Sequence, residues 1–319
     1  MVDTLLLSEE LRWASDVRWR TDSTLLLAAG TRGVVEIDRT GAVLAKPISG
    51  GRRLGQLWMA TRIGLSDRLL VGAAPFFSAV FQYLESSELP VQRDYAAILD
   101  VDVRDGAALI LGARRDAAGR WAPDGAMAWI DDGRADPKPV HFSESGPSSE
   151  VVSWYGPIDL GAVRFLDDGS FVVVPGVERG VYLYSAEGRL LRSWDSLRIG
   201  IAEGCSLDAD QRREVDVRME PRWRYWNQHL IVEDVVAWEG SPALLVRRSS
   251  RGKTTWELRV LELNGEVRTV RLPISSTTGR TRARMDVRGS LAVVLLHESG
   301  RLDETPEFQP RILFMEVDE

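Results

Sequence analysis

A single cysteine, Cys205, stands in a chain of 319 residues. No disulfide can form within the chain, and no cysteine-based metal site can be built from it. Lysine occurs only at Lys46, Lys138 and Lys253, and asparagine only at Asn227 and Asn264, so arginine supplies nearly all of the 40 basic residues. A GC-rich genome produces this bias, which weakens any argument that merely counts arginines. No apolar run approaches the roughly 20 residues needed to span a bilayer, so an integral membrane protein is not expected. The opening MVDTLLLSEELRW has neither a basic segment nor a long apolar core, so no signal peptide is visible. That makes the cytoplasm the default location, although a mature periplasmic or secreted form would look the same.

Catalytic signatures are also missing. The chain has no Gly-x-Ser-x-Gly elbow and no phosphate-binding glycine loop of either common type, so nucleotide chemistry has no support. A net charge of −7 opposes a general electrostatic grip on nucleic acid, and no nucleic-acid partner is expected. Helical periodicity is nearly absent as well.

What the chain does have is short runs of Val, Leu and Ile separated by Gly, Asp and Pro, the pattern of strands and turns. VRWRTDSTLLLAAGTRGVVEIDRTGAVL, from Val17, matches VRFLDDGSFVVVPGVERGVYLYSAEGRLL, from Val163. Each reads as a strand, a polar turn, an apolar strand, a glycine (Gly30, Gly176), a third strand, a second glycine turn (Gly41, Gly188) and a fourth strand. Looser copies bring the total to six units. Their second strands are expected near Thr24, Arg68, Ala107, Ser170, Pro242 and Ser290. Four-strand units at this spacing predict an all-β, six-bladed β-propeller of antiparallel blades, in one domain over residues 1–319. The sixth unit stops after its third strand, and an orphan strand at residues 2–7 precedes the first. Placing the orphan as the outer strand of the last blade closes the ring and removes its exposed edges. The runner-up is a pair of β-sandwiches, which the repeat and the orphan strand oppose.

The grammar of FLDDGSFVVVPGVERGVYLYSAEGRLLRSW resembles that of the six-bladed β-propeller superfamily, in the broad NHL-, TolB- and gluconolactonase-like sense, over nearly the whole chain. The resemblance implies a fold class rather than an activity. Trp194-Asp195 is a single Trp-Asp pair without a Gly-His partner, so WD repeats are not indicated.

Candidate ligating residues fall into four groups. His141, His229 and His297 fall in three units and suggest a shared zinc site only if they converge. Asp100, Asp102 and Asp105 loosely echo a calcium loop, but Val101 and Val103 alternate with them as in a half-exposed strand. Asp208, Asp210 and Glu214 lie in an interblade excursion at residues 196–228. The lactonase-like resemblance implies a metal in the central channel held by acidic and amide side chains. Asn227, Glu233 and Asp234 are candidates of that type, but no alignment of ligands is evident. No cofactor is assigned.

The connections entering each blade draw the eye. They hold Arg12 and Trp13; Arg52, Arg53 and Trp58; Arg93 and Tyr95; Trp154 and Tyr155; the stretch RWRYWNQH (Arg222, Trp223, Arg224, Tyr225, Trp226, Asn227); and Arg280, Arg282 and Arg284. If they converge, one face carries an arginine-aromatic funnel suited to carboxylates, to sulfated or uronic sugars, or to an acidic peptide. The same residues would equally serve as wedges between blades. The expected function is a non-catalytic binding or scaffolding module for a protein partner or a small anionic or carbohydrate ligand. A metal-assisted hydrolase or lactonase, and an accessory subunit of a larger assembly, are the alternatives.

Overall fold

A computed structural model describes residues 2–49, 51–53, 56–58, 62–66, 69–74, 79–84, 91–94, 97–113, 128–131, 137–140, 161–174, 180–195, 199, 224, 227–277, 279–298 and 309–316. Strand β1 (Val2–Leu6) opens the chain. Then come β2 (Asp16–Trp19), β3 (Thr24–Ala28), β4 (Gly33–Asp38) and β5 (Val43–Ser49), followed by a short ribbon of β6 (Gly51–Arg53) and β7 (Gln56–Trp58). The next three sets are β8 (Arg62–Leu65), β9 (Leu69–Ala74), β10 (Ala79–Leu84) and β11 (Val91–Asp94); β12 (Ala97–Arg104), β13 (Ala107–Ala113), β14 (Ala128–Asp131) and β15 (Lys138–Val140); and β16 (Ala162–Phe165), β17 (Phe171–Val174), β18 (Val181–Tyr184) and β19 (Leu190–Trp194). The chain continues through β20 (Ile231–Trp238), β21 (Ser241–Ser250), β22 (Lys253–Leu261) and β23 (Val267–Ser276), and then β24 (Thr281–Arg288), β25 (Leu291–Glu298) and β26 (Arg311–Glu316).

Apart from the ribbon, these strands form six four-stranded sheets, five of them in sequential order. The sixth runs β1-β26-β25-β24. The expected orphan strand is therefore its outer member, antiparallel to β26 with Val2 opposite Met315 and Leu6 opposite Arg311. The fold is an all-β propeller of four-stranded antiparallel blades.

Local chemistry accounts for the turns. Asp38 ends β4, and its carboxylate accepts from Thr40 N–H, Thr40 Oγ1 and Ala42 N–H. These bonds, the Thr40 hydroxyl foremost, hold the carboxyl below the usual carboxylate range. Gly41 closes that turn at φ +87°, and Gly188 closes the equivalent turn of the matching repeat at φ +84°. A side chain is strained in that conformation, which is why the repeat keeps glycine there. Asp168 accepts from Ser170 N–H and Oγ in the same manner. Asn264 accepts from Glu266 N–H, with Gly265 at φ +95°.

The apolar strands read as continuous runs because a blade is covered on both faces. In β17, Phe171 and Val173 pack with Leu109, Leu111 and Val163, whereas Val172 and Val174 pack with Val235, Leu244 and Val246. Burying one such side chain contributes about 1.5–3 kcal/mol before the entropy of ordering it. Phe171 stacks on Tyr184 at 5.1 Å between centroids, and burial pushes the Tyr184 phenol above its ordinary range. At the other end of the chain, Val17, Leu25, Leu27, Val293, Leu295 and Ile312 share one core. Above it, Arg39 lies 5.3 Å from the ring of Trp19 and 5.8 Å from that of Phe314.

The residues divide into two compact units, Met1–Arg93 with Asp102–Gly106 and Arg280–Glu319, and Asp94–Val101 with Ala107–Gly279. Within each, side chains on the inner strands tie one blade to the next. In the first unit, Asp286 of β24 accepts the Trp19 N–H of β2 at 2.8 Å, and Asp16 of β2 accepts the Ile63 N–H of β8 at 2.8 Å. In the second, Asp100 of β12 accepts the Val163 N–H of β16 at 3.0 Å, and Arg164 of β16 donates to the Val235 carbonyl of β20 at 2.9 Å. Asp16 and Asp234 also accept the N–H of the valine that follows each of them.

Three expectations are corrected. Asp100 and Asp102 do lie on a strand with Val101 and Val103, but all four are buried. The Asp100 carboxylate accepts the Val163 N–H of a neighbouring strand. Arg93 lies in the outer strand β11 rather than in a connection, and Arg282 and Arg284 lie within the inner strand β24. The stretch holding Arg52, Arg53 and Trp58 is a hairpin ribbon in which Gly51 faces Trp58.

Asp16 is wholly buried, accepts two backbone N–H groups and lies 3.3 Å from Arg18. Asp16→Ala is expected to cost about 3 kcal/mol in urea unfolding. Asp3→Ala, on exposed β1, should stay within about 0.5 kcal/mol of the parent.

Candidate functional site

The first unit gathers positive charge. Arg282 and Arg284 are alternate residues of β24 and so share a face; both are buried, as is His297, the cross-strand partner of Arg282. Arg62 is the first residue of β8 and is half-buried. The stitches from Asp286 and Asp16 place β2 between β24 and β8. Burial holds the His297 imidazole well below its ordinary 6.5, and the guanidinium groups of Arg282, Arg62 and Arg284 depress it further. A hydrogen bond to the Glu298 backbone opposes the shift and is outweighed. Near neutral pH the histidine is therefore uncharged, with cations around it.

The second unit holds a buried polar cluster of another kind. Arg247 is fully buried on β21, and its guanidinium donates to Asn227 Oδ1 at 2.7 Å and to the Gly279 carbonyl. Glu233 lies 3.8 Å from Arg247 and accepts from the Trp256 indole at 2.8 Å. A Cβ on Gly279 would stand 2.4 Å from Asn227 Nδ2, so only glycine lets the amide seat itself there. Asn227 is therefore a clasp that holds the end of RWRYWNQH against β21. Glu233 and Asp234 are committed to neighbouring side chains and backbone rather than to an open site.

Of the other expected site residues, Arg224 is exposed and helical. Arg52, Arg53, Trp58 and Arg93 lie on β6, β7 and β11. Tyr95, Trp154, Tyr155, Arg222, Trp223, Tyr225 and Trp226 lie outside the described residues, as do His141, Cys205, Asp208, Asp210 and Glu214. Sequence reasoning reached Arg282 but missed Arg62, His297 as its neighbour, and Arg247. The available signal was Arg-x-Arg at the head of a strand, opposite a histidine at the end of its hairpin partner. Among the described residues no group of His, Cys, Asp and Glu could hold a metal ion, and no helix is long and apolar enough to cross a membrane.

The folded chain resists protonating His297, whereas the unfolded chain takes up that proton near pH 6.5. The depressed value thus contributes stability that is fully present above pH 6.5 and is lost as pH falls below it. Unfolding midpoints measured from pH 7.5 to 5 should decline, and His297→Gln should flatten that decline. Asn227→Ala removes an acceptor from buried Arg247 and should cost about 1–3 kcal/mol in the same assay.

No protein-family model and no curated protein matches the chain. Among solved structures, a Bacteroides thetaiotaomicron protein of unknown function is similar at TM-score 0.53 and 10% identity, covering 98% of this chain and 72% of its own. The Kuenenia stuttgartiensis hydrazine synthase is similar at TM-score 0.52 and 13% identity, covering 91% of this chain and 78% of its own. The WD40 β-propeller domain of Doa1 follows at 0.48 and 10%, covering 99% and 97%. At these identities the likeness extends to the fold alone.

Proposed function

We propose that the chain is a non-catalytic binding propeller, a single domain whose six sheets form a six-bladed ring, and that it presents arginine-rich surface to an anionic ligand or an acidic protein segment. One observation supports this reading: Arg282 and Arg284 share a face of β24 with His297 opposite Arg282, and Arg62 acts on the same histidine, in a chain whose net charge is −7. Guanidinium groups match carboxylate geometry. The exposed Arg224 of the second unit, in the stretch RWRYWNQH, is a separate candidate contact.

The test uses the full chain with fluorescent 20-residue polyglutamate and polylysine peptides, followed by anisotropy at low and high salt. Polyglutamate should bind, more weakly at high salt, and polylysine should not. Replacing Trp223 and Trp226 by Ala should weaken polyglutamate binding about tenfold, equivalent to 1.4 kcal/mol, while leaving the thermal midpoint nearly unchanged. Equal binding of the two peptides, or of neither, would overturn the reading. A collapse of the midpoint in the tryptophan variants would mark those residues as wedges instead.

A further inference from the structure

Strand β1 is the outer member of its sheet and pairs with β26 along one edge only. Leu7 donates its N–H to the Pro310 carbonyl, and Gln309 Nε2 donates to the Leu7 carbonyl. Leu7 therefore turns both backbone groups toward the strand beside it. Backbone direction alternates along an antiparallel strand. Leu5 and Asp3 follow Leu7, while Val2, Thr4 and Leu6 turn their backbone groups to the free edge. The side chains of Val2, Thr4 and Leu6 share one face by the two-residue period. All three are exposed, Val2 at 38% and Leu6 at 59%. Leu5, on the other face, lies against Gly41.

An open edge invites further pairing, and outer strands carry features that prevent it. Of the other outer strands, β5 has Lys46 and Pro47, β15 has Lys138 and Pro139, and β23 has Arg271 and Pro273. Proline has no N–H to offer a further strand. β5, β19 and β23 also slip register against their partners. β1 has neither feature: it keeps unbroken register with β26 from Val2 to Leu6 and contains no proline. What it has is Asp3, whose Oδ1 accepts the Thr4 N–H at 2.9 Å. Asp16 holds the Val17 N–H in the same way, and its other oxygen receives the Ile63 N–H of the next blade. Among the described residues no second group engages Asp3. Asp3 is thus half of such a joint, placed at a free edge.

We propose that the free edge of β1 takes up an extended segment of a partner protein as a further antiparallel strand, with a lysine or arginine opposite Asp3 and apolar residues opposite Val2 and Leu6. Asp3 holds the Thr4 N–H that such a strand needs. A cation opposite Asp3 draws the carboxylate away and releases that N–H to the partner's carbonyl; an acid there leaves it held and adds repulsion. The same geometry disfavours a second copy of this chain. Paired antiparallel about Thr4, two copies would set Val2 against Leu6. Leu5 would then face Asp3, and the two Asp3 carboxylates would be diagonal neighbours about 7–8 Å apart. This interaction goes beyond the anion-binding reading, and it uses the edge of the sheet farthest from β24.

The test is fluorescence anisotropy of the full chain with two labelled peptides, Gly-Ser-Val-Val-Thr-Lys-Val-Ser-Gly and the same sequence with glutamate for lysine. The lysine peptide should bind at least tenfold more tightly, and Asp3→Lys should reverse that order. Thr4→Pro removes an N–H that the β1–β26 ladder does not use. It should weaken the lysine peptide at least tenfold while leaving the thermal midpoint nearly unchanged. Should Thr4→Pro fail to fold, the reversal by Asp3→Lys, at an exposed position, decides the matter. Binding of neither peptide, equal binding of both, indifference to Thr4→Pro, or no reversal in Asp3→Lys would overturn the proposal. Concentration-dependent dimerisation that Thr4→Pro abolishes would overturn the choice of partner in favour of a second copy of the chain.

Discussion

An aspartate, buried or partly buried, that accepts a backbone N–H from the inner strand of the next blade is the interaction on which the other features depend. An inner strand pairs along only one edge, and at the other edge its amide groups would be buried without partners, at a cost comparable to a lost hydrogen bond for each. Asp286, Asp16 and Asp100 meet that need at three joints, and Arg164 serves the complementary carbonyl at a fourth. Each bond also sets the height of one blade against its neighbour. The apolar cores between blades are non-directional and would tolerate sliding; the carboxylate bonds would not.

These contacts explain why so many ionisable groups are buried in a protein of ordinary composition. Arg18 lies beside Asp16, Arg247 beside Glu233 and Asn227, and Arg164 beside Asp234. Arg282 and Arg284 are buried on the inner strand β24, with His297 of β25 opposite Arg282.

The architecture was largely readable in advance because turn chemistry is local. Second strands expected near Thr24, Arg68, Ala107, Ser170, Pro242 and Ser290 begin at Thr24, Leu69, Ala107, Phe171, Ser241 and Leu291. Gly41, Gly188 and Asp168 mark their turns by conformational demands that short segments express on their own. The roles of the charged residues were not readable, because they depend on a neighbouring strand remote in sequence. An Asp between valines reads as a solvent-facing residue until the blade that covers it is known. In hindsight the repeated Asp-Val of Asp16, Asp100, Asp234 and Asp286 is the visible trace of the stitches. Arg282 was recognised as a candidate but assigned to a connection, since a strand opening with Thr-Arg-Ala-Arg looks like a polar loop. Asn227 was singled out for rarity, and its place against Arg247 gives that rarity a structural meaning.

The pairing of β1 with β26 has a consequence for how the molecule is made. Val2 and Met315 are among the most widely separated partners in the chain, so β1 must wait for a partner made much later. Until then the outer edge of β1 and the bare third strand of its sheet are both open to other chains. Loop-closure entropy over such a span slows the final step, and that step falls when the product is most exposed to aggregation. During biosynthesis the strand that completes the last blade is therefore also its most vulnerable segment.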